Sequence, residues 1–361
     1  MPEWREWISD EGSREAFPLL KFLLIEECPN LAKALPSPHL PRVTRLTIRG
    51  CTQLATPLPR FPRLHSLDVS GFHSLESLPE ELEQMGCSPS DLGKIAIHGC
   101  VSLKCVALDL LPKLNTLSIS YCPDLESLCA HERPLNDLTS LHSLEIRLCL
   151  KLVSFPKGGL PAPVLTRLVL ADCSNLKQLP ESMHSLLPSL NHLEIRGCFE
   201  LELCPQEGFP STLQSLVIGG CNKLIAGRMQ WGLQTLPSLS RFAIGFDENV
   251  ESFPEEMLLP SSLTSLKIYV LQLKSLPRLQ HLTSLRVLDI WCCPLIESMP
   301  EEGLPSSLSS LVINNCPMLG ESCEREKGKD WPKISHIPYI HIFPTLTEQK
   351  SRSFSFNRPT Y

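Results

Sequence analysis

The stretch Leu141-His142-Ser143-Leu144-Glu145-Ile146-Arg147-Leu148-Cys149-Leu150-Lys151-Leu152 decides how the rest of the chain is read. Leu144 and Ile146 alternate with period two, so this segment is a short strand with its apolar residues on one face. The same spacing returns at Leu165, Leu168, Leu170, Cys173 and Leu176, and again at Leu190, Leu193, Ile195, Cys198 and Leu201. Thirteen copies can be laid down, starting at Leu20, Val43, Leu64, Leu92, Leu114, Leu141, Leu165, Leu190, Leu213, Leu239, Leu263, Leu285 and Leu308. They span 308 − 20 = 288 residues in 12 intervals, a mean period of 24.

That period lies in the range of leucine-rich repeats. It predicts an α/β solenoid: a horseshoe of about thirteen repeats, with a parallel β-sheet on its concave side. Parallel strands need a crossover on the opposite side. Here the crossover is often Leu-Pro or Phe-Pro, as in Leu78-Pro79-Glu80-Glu81 and Phe253-Pro254-Glu255-Glu256. Proline fixes φ and removes a donor, so irregular or short 3₁₀ crossovers are expected rather than long helices. The copy at Leu263 is one residue short, because Leu273 and Leu276-Pro277 arrive early, and a local irregularity is expected there.

Composition agrees with this reading. Leucine occupies 66 of 361 positions and proline 33, while aromatics are 6%. Ten of the 16 cysteines fall at one repeat position: 28, 51, 100, 122, 149, 173, 198, 221, 293 and 316. They form one column, interrupted by Phe72, Asp247 and Leu271. A small side chain with a weak S–H donor suits a buried turn. The acidic start, Met1 to Trp7, lacks the apolar core of a secretory signal, so free thiols in a reducing compartment are expected. The predicted location is therefore cytoplasmic, with the nucleus also open to such a chain. No apolar run reaches the ~18 residues of a membrane span. A net charge of −6 argues against nucleic acid as a partner.

Residues 1–16 read as a flanking linker, 17–320 as the solenoid, 321–343 as a capping segment and 344–361 as a polar, disordered tail.

Catalytic and metal signals are weak. Cys292-Cys293, Cys122 with Cys129 and His131, and His98 with Cys100 are the only clusters worth naming, and no paired Cys-x-x-Cys motif supports them. Neither a Gly-x-Ser-x-Gly elbow nor a His-Glu-x-x-His helix is present. No catalytic residue, metal or cofactor is assigned, and the chain reads as a non-enzyme.

The better signal is a surface. Residues between the ladder positions face the concave side. Glu145 and Arg147, then Glu194 and Arg196 two repeats on, make a charged strip. Its blander reading is a set of solvated ion pairs worth ~0–1 kcal/mol each. Tyr269 and Trp291 lie on adjacent strands, with Phe246, Lys267 and Asp289 nearby. Exposed aromatics in a chain this poor in them are candidate protein-binding anchors. Their blander reading is packing on the short repeat or on the closing segment.

Cys28-Pro29-Asn30-Leu31, Cys122-Pro123-Asp124-Leu125 and Cys316-Pro317-Met318-Leu319, with the Leu-Pro crossovers, resemble the repeats of plant nucleotide-binding leucine-rich-repeat disease resistance proteins of the coiled-coil type. Two further segments sharpen the likeness. Pro2-Glu3-Trp4-Arg5-Glu6-Trp7 before Phe17-Pro18-Leu19-Leu20 is similar to a linker of that family. The run from Glu324 through Trp331-Pro332-Lys333-Ile334-Ser335-His336-Ile337-Pro338-Tyr339-Ile340 is similar to its closing segment. The resemblance implies an immune-receptor sensing domain. It implies as partners a pathogen effector or a guarded host protein, and the nucleotide-binding and coiled-coil modules of a full-length receptor. In that picture the N-terminal repeats contact the module and the C-terminal half recognises variable partners. A phosphate loop is lacking: Gly328-Lys329-Asp330 has neither the preceding Gly nor the hydroxyl residue. The chain is thus expected not to bind ATP, and to be the C-terminal part of such a receptor or a truncated relative. A rival reading is a substrate receptor of an F-box-type ubiquitin ligase, which the Leu-Pro crossovers and the absence of an N-terminal helical module disfavour. A third is a scaffold without a partner.

Overall fold

The computed structural model describes residues 5, 17–32, 40–54, 58–130, 135–202, 208–255 and 258–343. Linker residues 1–4 and 6–16, the tail from 344, Cys204, His131 and Glu256 lie outside the described residues. The chain forms two compact units, Met1–Ala243 and Ile244–Tyr361.

In the first unit the strands are β1 (Phe22–Glu26), β2 (Arg45–Arg49), β3 (Ser66–Ser70), β4 (Lys94–His98), β5 (Thr116–Ser120), β6 (Ser143–Arg147), β7 (Arg167–Ala171), β8 (His192–Arg196) and β9 (Ser215–Gly219). Each pairs in parallel with the next, in register, as in Leu144↔Leu168↔Leu193. The unit boundary falls inside β10 (Arg241–Asp247). In the second unit β11 (Ser265–Leu271), β12 (Val287–Trp291), β13 (Ser310–Asn314) and β14 (Tyr339–Phe343) repeat the arrangement. Every one of the thirteen predicted copies supplies a strand, beginning two residues after its first apolar position.

The repeat spacing has a local cause at each end of the strand. The first apolar residue of every copy donates its backbone N–H to the carbonyl three residues earlier, as Leu114 does to Leu111 and Leu308 to Pro305. That tight turn aims the chain into the strand. At the strand's other end the next residue takes a left-handed conformation. Glycine provides it at positions 50, 71, 99, 197 and 220, and Glu27, Tyr121, Leu148, Asp172, Cys292 and Asn315 adopt it elsewhere. The cysteine then follows. All ten column thiols donate to the carbonyl two residues back, from 3.2 Å at Cys28 to 3.8 Å at Cys100. Several reach a second carbonyl one turn away, Cys51 to Ile25 at 3.9 Å and Cys316 to Ile290 at 3.7 Å. The leucine three residues on closes another turn onto the cysteine carbonyl, as in Leu125 to Cys122 at 3.1 Å. Most of these carbonyls already accept a backbone N–H from the preceding repeat, as Arg147 does from Tyr121 at 2.9 Å, so the column adds a second, weak donor to each.

The interrupted positions behave differently. Where Asp247 and Leu271 replace cysteine, β10 and β11 run seven residues instead of five. This is the irregularity that the short copy at Leu263 predicts.

The crossovers are mostly turns and short 3₁₀ segments such as Leu108–Leu110 and Leu233–Thr235. Among the described residues five short α-helices also occur: α1 (Leu78–Gln84), α2 (Met183–Leu186), α3 (Asn222–Ala226), α4 (Pro317–Ser322) and α5 (Trp331–Ile334). α1 corrects the expectation for Leu78-Pro79-Glu80-Glu81, which is a seven-residue helix rather than an irregular turn. Pro79 sits in its first turn, where a missing N–H costs nothing, and Glu80 and Glu81 favour the same end. Glu81 is buried and accepts the Leu58 N–H at 3.0 Å, tying two crossovers together.

β14 lies in the segment predicted only to cap. Its Ile340 and Ile342 stand in register with Leu311 and Ile313. The signal was present, since Ile337-x-x-Ile340-x-Ile342 repeats the apolar spacing without its leucines.

Candidate functional surface

Alternation along each strand sends one set of side chains into the core and the other to the open face of the sheet. On β6, β7 and β8 the register makes a three-by-three grid. Its rows are Ser143, Arg167, His192; Glu145, Val169, Glu194; and Arg147, Ala171, Arg196. The predicted charged strip is therefore one network. Glu145 takes an N–H from Arg167 at 3.0 Å and has Arg147 at 3.7 Å. Glu194 has Arg196 at 2.9 Å, His192 at 3.7 Å and Arg167 at 3.9 Å. His192 beside it holds the Glu194 carboxyl below its ordinary value despite partial burial, with Arg196 and Arg147 adding to the effect. Arg167 and His192 were missed from the sequence. They occupy the strand's first position, and only the alternation of a five-residue strand puts that position on the same face.

In the second unit Tyr269 and Trp291 are register partners. Phe246 meets Tyr269 edge-on, with ring centroids 5.0 Å apart. Tyr269 is half-buried, while Phe246 and Trp291 are 50% and 43% exposed. Gly245 makes this possible, because a Cβ there would collide with the Tyr269 carbonyl and ring. Lys267 pairs with Asp289 at 3.2 Å, and Asp289 is largely buried rather than displayed. Tyr339 and Phe343 on β14 add exposed aromatics at 65% and 49%. The sequence reading missed them because it did not place a strand there.

Among the described residues no group of three or more His, Cys, Asp or Glu is placed to hold a metal ion. Burial pushes the Cys100 thiol up to about 12 and Cys122 up to about 11, so both stay protonated at neutral pH. Among the described residues no helix is long and apolar enough to cross a membrane.

Known proteins place the chain as follows. No protein-family model matches it. It is 36% identical over 320 residues to a disease resistance protein of Arabidopsis thaliana, covering 81% of this chain and 22% of that one. A second Arabidopsis protein, of the RPP13-like disease resistance kind, is 31% identical over 145 residues, 32% of this chain and 13% of the other. The chain thus spans about a fifth or less of the length of these relatives. Among solved structures, YopM of Yersinia enterocolitica aligns over 83% of this chain and 61% of its own at 22% identity and a TM-score of 0.41. The plant peptide hormone receptor RGFR1 aligns over 89% of this chain and 73% of its own at 15% identity and a TM-score of 0.30.

Proposed function

For a leucine-rich-repeat chain related over four-fifths of its length to a plant disease resistance protein, we propose that the open sheet faces are protein-recognition surfaces in plant immune defence. The carrying observation is the division of labour in each strand. One face builds the core with fully buried leucine and isoleucine, and the other presents charged side chains in the first unit and exposed aromatics in the second. The leucine-rich-repeat fold and the disease resistance relatives support a recognition role rather than a catalytic one. The finer reading has two parts. One partner class is a pathogen effector or a guarded host protein, met through anchors such as Trp291. The other is the nucleotide-binding module of a receptor, which the repeats hold in check. Competition between the two for an extended surface would shift the receptor between states.

The test is co-expression of the full chain in leaf cells with the nucleotide-binding portion of a plant nucleotide-binding leucine-rich-repeat receptor as a separate polypeptide. Co-precipitation, and suppression of any cell death that portion causes, support the reading. Substitutions on the open face, Arg147→Glu or Trp291→Ala, should weaken one or both, whereas Arg278→Ala on an exposed crossover should not. A wild-type chain that neither binds nor suppresses overturns it.

A further inference from the structure

The open face of the first unit carries charge of the opposite sign to the chain. Over β1–β9 its outward positions hold six Arg or Lys against four Asp or Glu, a surplus of 6 − 4 = +2, whereas the whole chain is −6. The cations are not equally engaged. Arg49 donates to Asp68 at 2.6 Å and Arg167 to Glu145 at 3.0 Å. Arg147 comes only to 3.7 Å from Glu145, and Arg196 has its Nε 2.9 Å from Glu194. Among the described residues neither guanidinium hydrogen-bonds elsewhere in the protein, and the two side chains are 30% and 43% exposed. Their glutamates orient them and leave their terminal N–H groups open to a further acceptor.

Their placement is specific. Arg147 and Arg196 share a row and flank Ala171, with Gly219 beyond Arg196 in the same row. Ala171 and Gly219 put no bulk into that lane. Two strand spacings separate the arginines, about 10 Å. An extended polyproline-type chain advances roughly 3.1 Å per residue and returns to the same face every third residue, so carboxylates three apart stand about 9 Å from each other.

We propose that Arg147 and Arg196 form a two-pronged clamp for an extended acidic segment of a partner protein, laid across the strands, with carboxylates three residues apart. Each guanidinium takes one carboxylate by charge-assisted, fork-like hydrogen bonds. Glu145 and Glu194, one row inward, keep the prongs upright and make the row unfavourable for a continuous phosphate backbone. The proposal rests on the reading of the open face as a recognition surface and adds the chemistry of its partner.

The test uses the purified full chain and fluorescence anisotropy with a labelled peptide of four Glu-Pro-Pro triplets. A peptide of the same composition with its glutamates adjacent and a 12-nucleotide oligothymidylate are the comparisons. The spaced peptide should bind about fivefold or more tighter than either, and binding should fall as salt rises. The double variant Arg147→Gln with Arg196→Gln should lose about tenfold or more, whereas Arg325→Gln, exposed on the closing segment, should lose nothing. Arg147→Lys with Arg196→Lys keeps both charges and should fall between, since it removes only the fork. Equal binding of the two peptides, preference for the oligothymidylate, or wild-type binding by the double Gln variant overturns the clamp. Because this assay needs no receptor module, its failure beside retained co-precipitation sinks the clamp alone and leaves the recognition reading standing.

Discussion

A cysteine and a glycine carry the sharpest lessons at the scale of single residues. Cys149 is fully buried, yet it contributes one weak S–H bond to Arg147 and little volume. Cys149→Ala should cost about 1 kcal/mol, against about 2–5 kcal/mol for Leu144→Ala on the neighbouring strand, read from urea midpoints. Alkylation at pH 8 should label half-exposed Cys292 well before buried Cys100 and Cys122, whose thiols burial keeps protonated. Labelling of all three at one rate would contradict that. At Gly245 the constraint is space. Gly245→Ala must displace the Tyr269 ring and backbone, costing about 1–3 kcal/mol, whereas Gly93→Ala, whose Cβ would lie 3.9 Å from the His65 carbonyl, should be well tolerated.

At the scale of elements, the closing segment is pinned by one buried carboxylate. Asp330 is 2% exposed, accepts from Ser322 Oγ at 2.6 Å and the Met299 N–H at 2.9 Å, and pairs with Lys333 at 2.7 Å. Burial alone would raise its pKa, but Lys333, Ser322 and the Met299 N–H together outweigh it and hold it below the ordinary value. An acid whose folded pKa is depressed contributes stability above its unfolded value, about 3.9, and loses it as pH falls through the folded one. Asp330→Asn should therefore reduce amide protection of α5 and β14 at pH 7, and the wild-type chain should lose the same protection only in acid. Hydrogen exchange reads both. Equal protection in the variant would show that apolar packing of Ile334 and Ile337 suffices.

At the scale of the molecule, a repeat contacts its sequence neighbours, so damage should stay local. Leu266→Ala on β11 should raise exchange in β11 and β12 and leave β2–β5 of the first unit unchanged. The buried Trp231 in the first unit should not report that substitution in its fluorescence midpoint. A uniform loss of protection across both units would instead mean one cooperative block.

Much of this architecture is legible in the chain itself. Leu144, Ile146, Cys149 and Leu152 state the strand, its buried face, the thiol-bonded turn and the next turn, because each feature depends on residues a few positions apart. For that reason the thirteen strands and the cysteine column follow from spacing alone. Ile340 and Ile342 escaped because the last copy lacks leucine, and α1 because Pro79 serves a helix's first turn as readily as it interrupts one. What only the tertiary structure decided is which side chains meet. Arg167 joins Glu145 and Glu194, and Tyr269 lies over Gly245, across 22 to 27 residues of chain. Those encounters are set by strand register and by the room a neighbour leaves, and neither exists until one turn of the solenoid has stacked on the next.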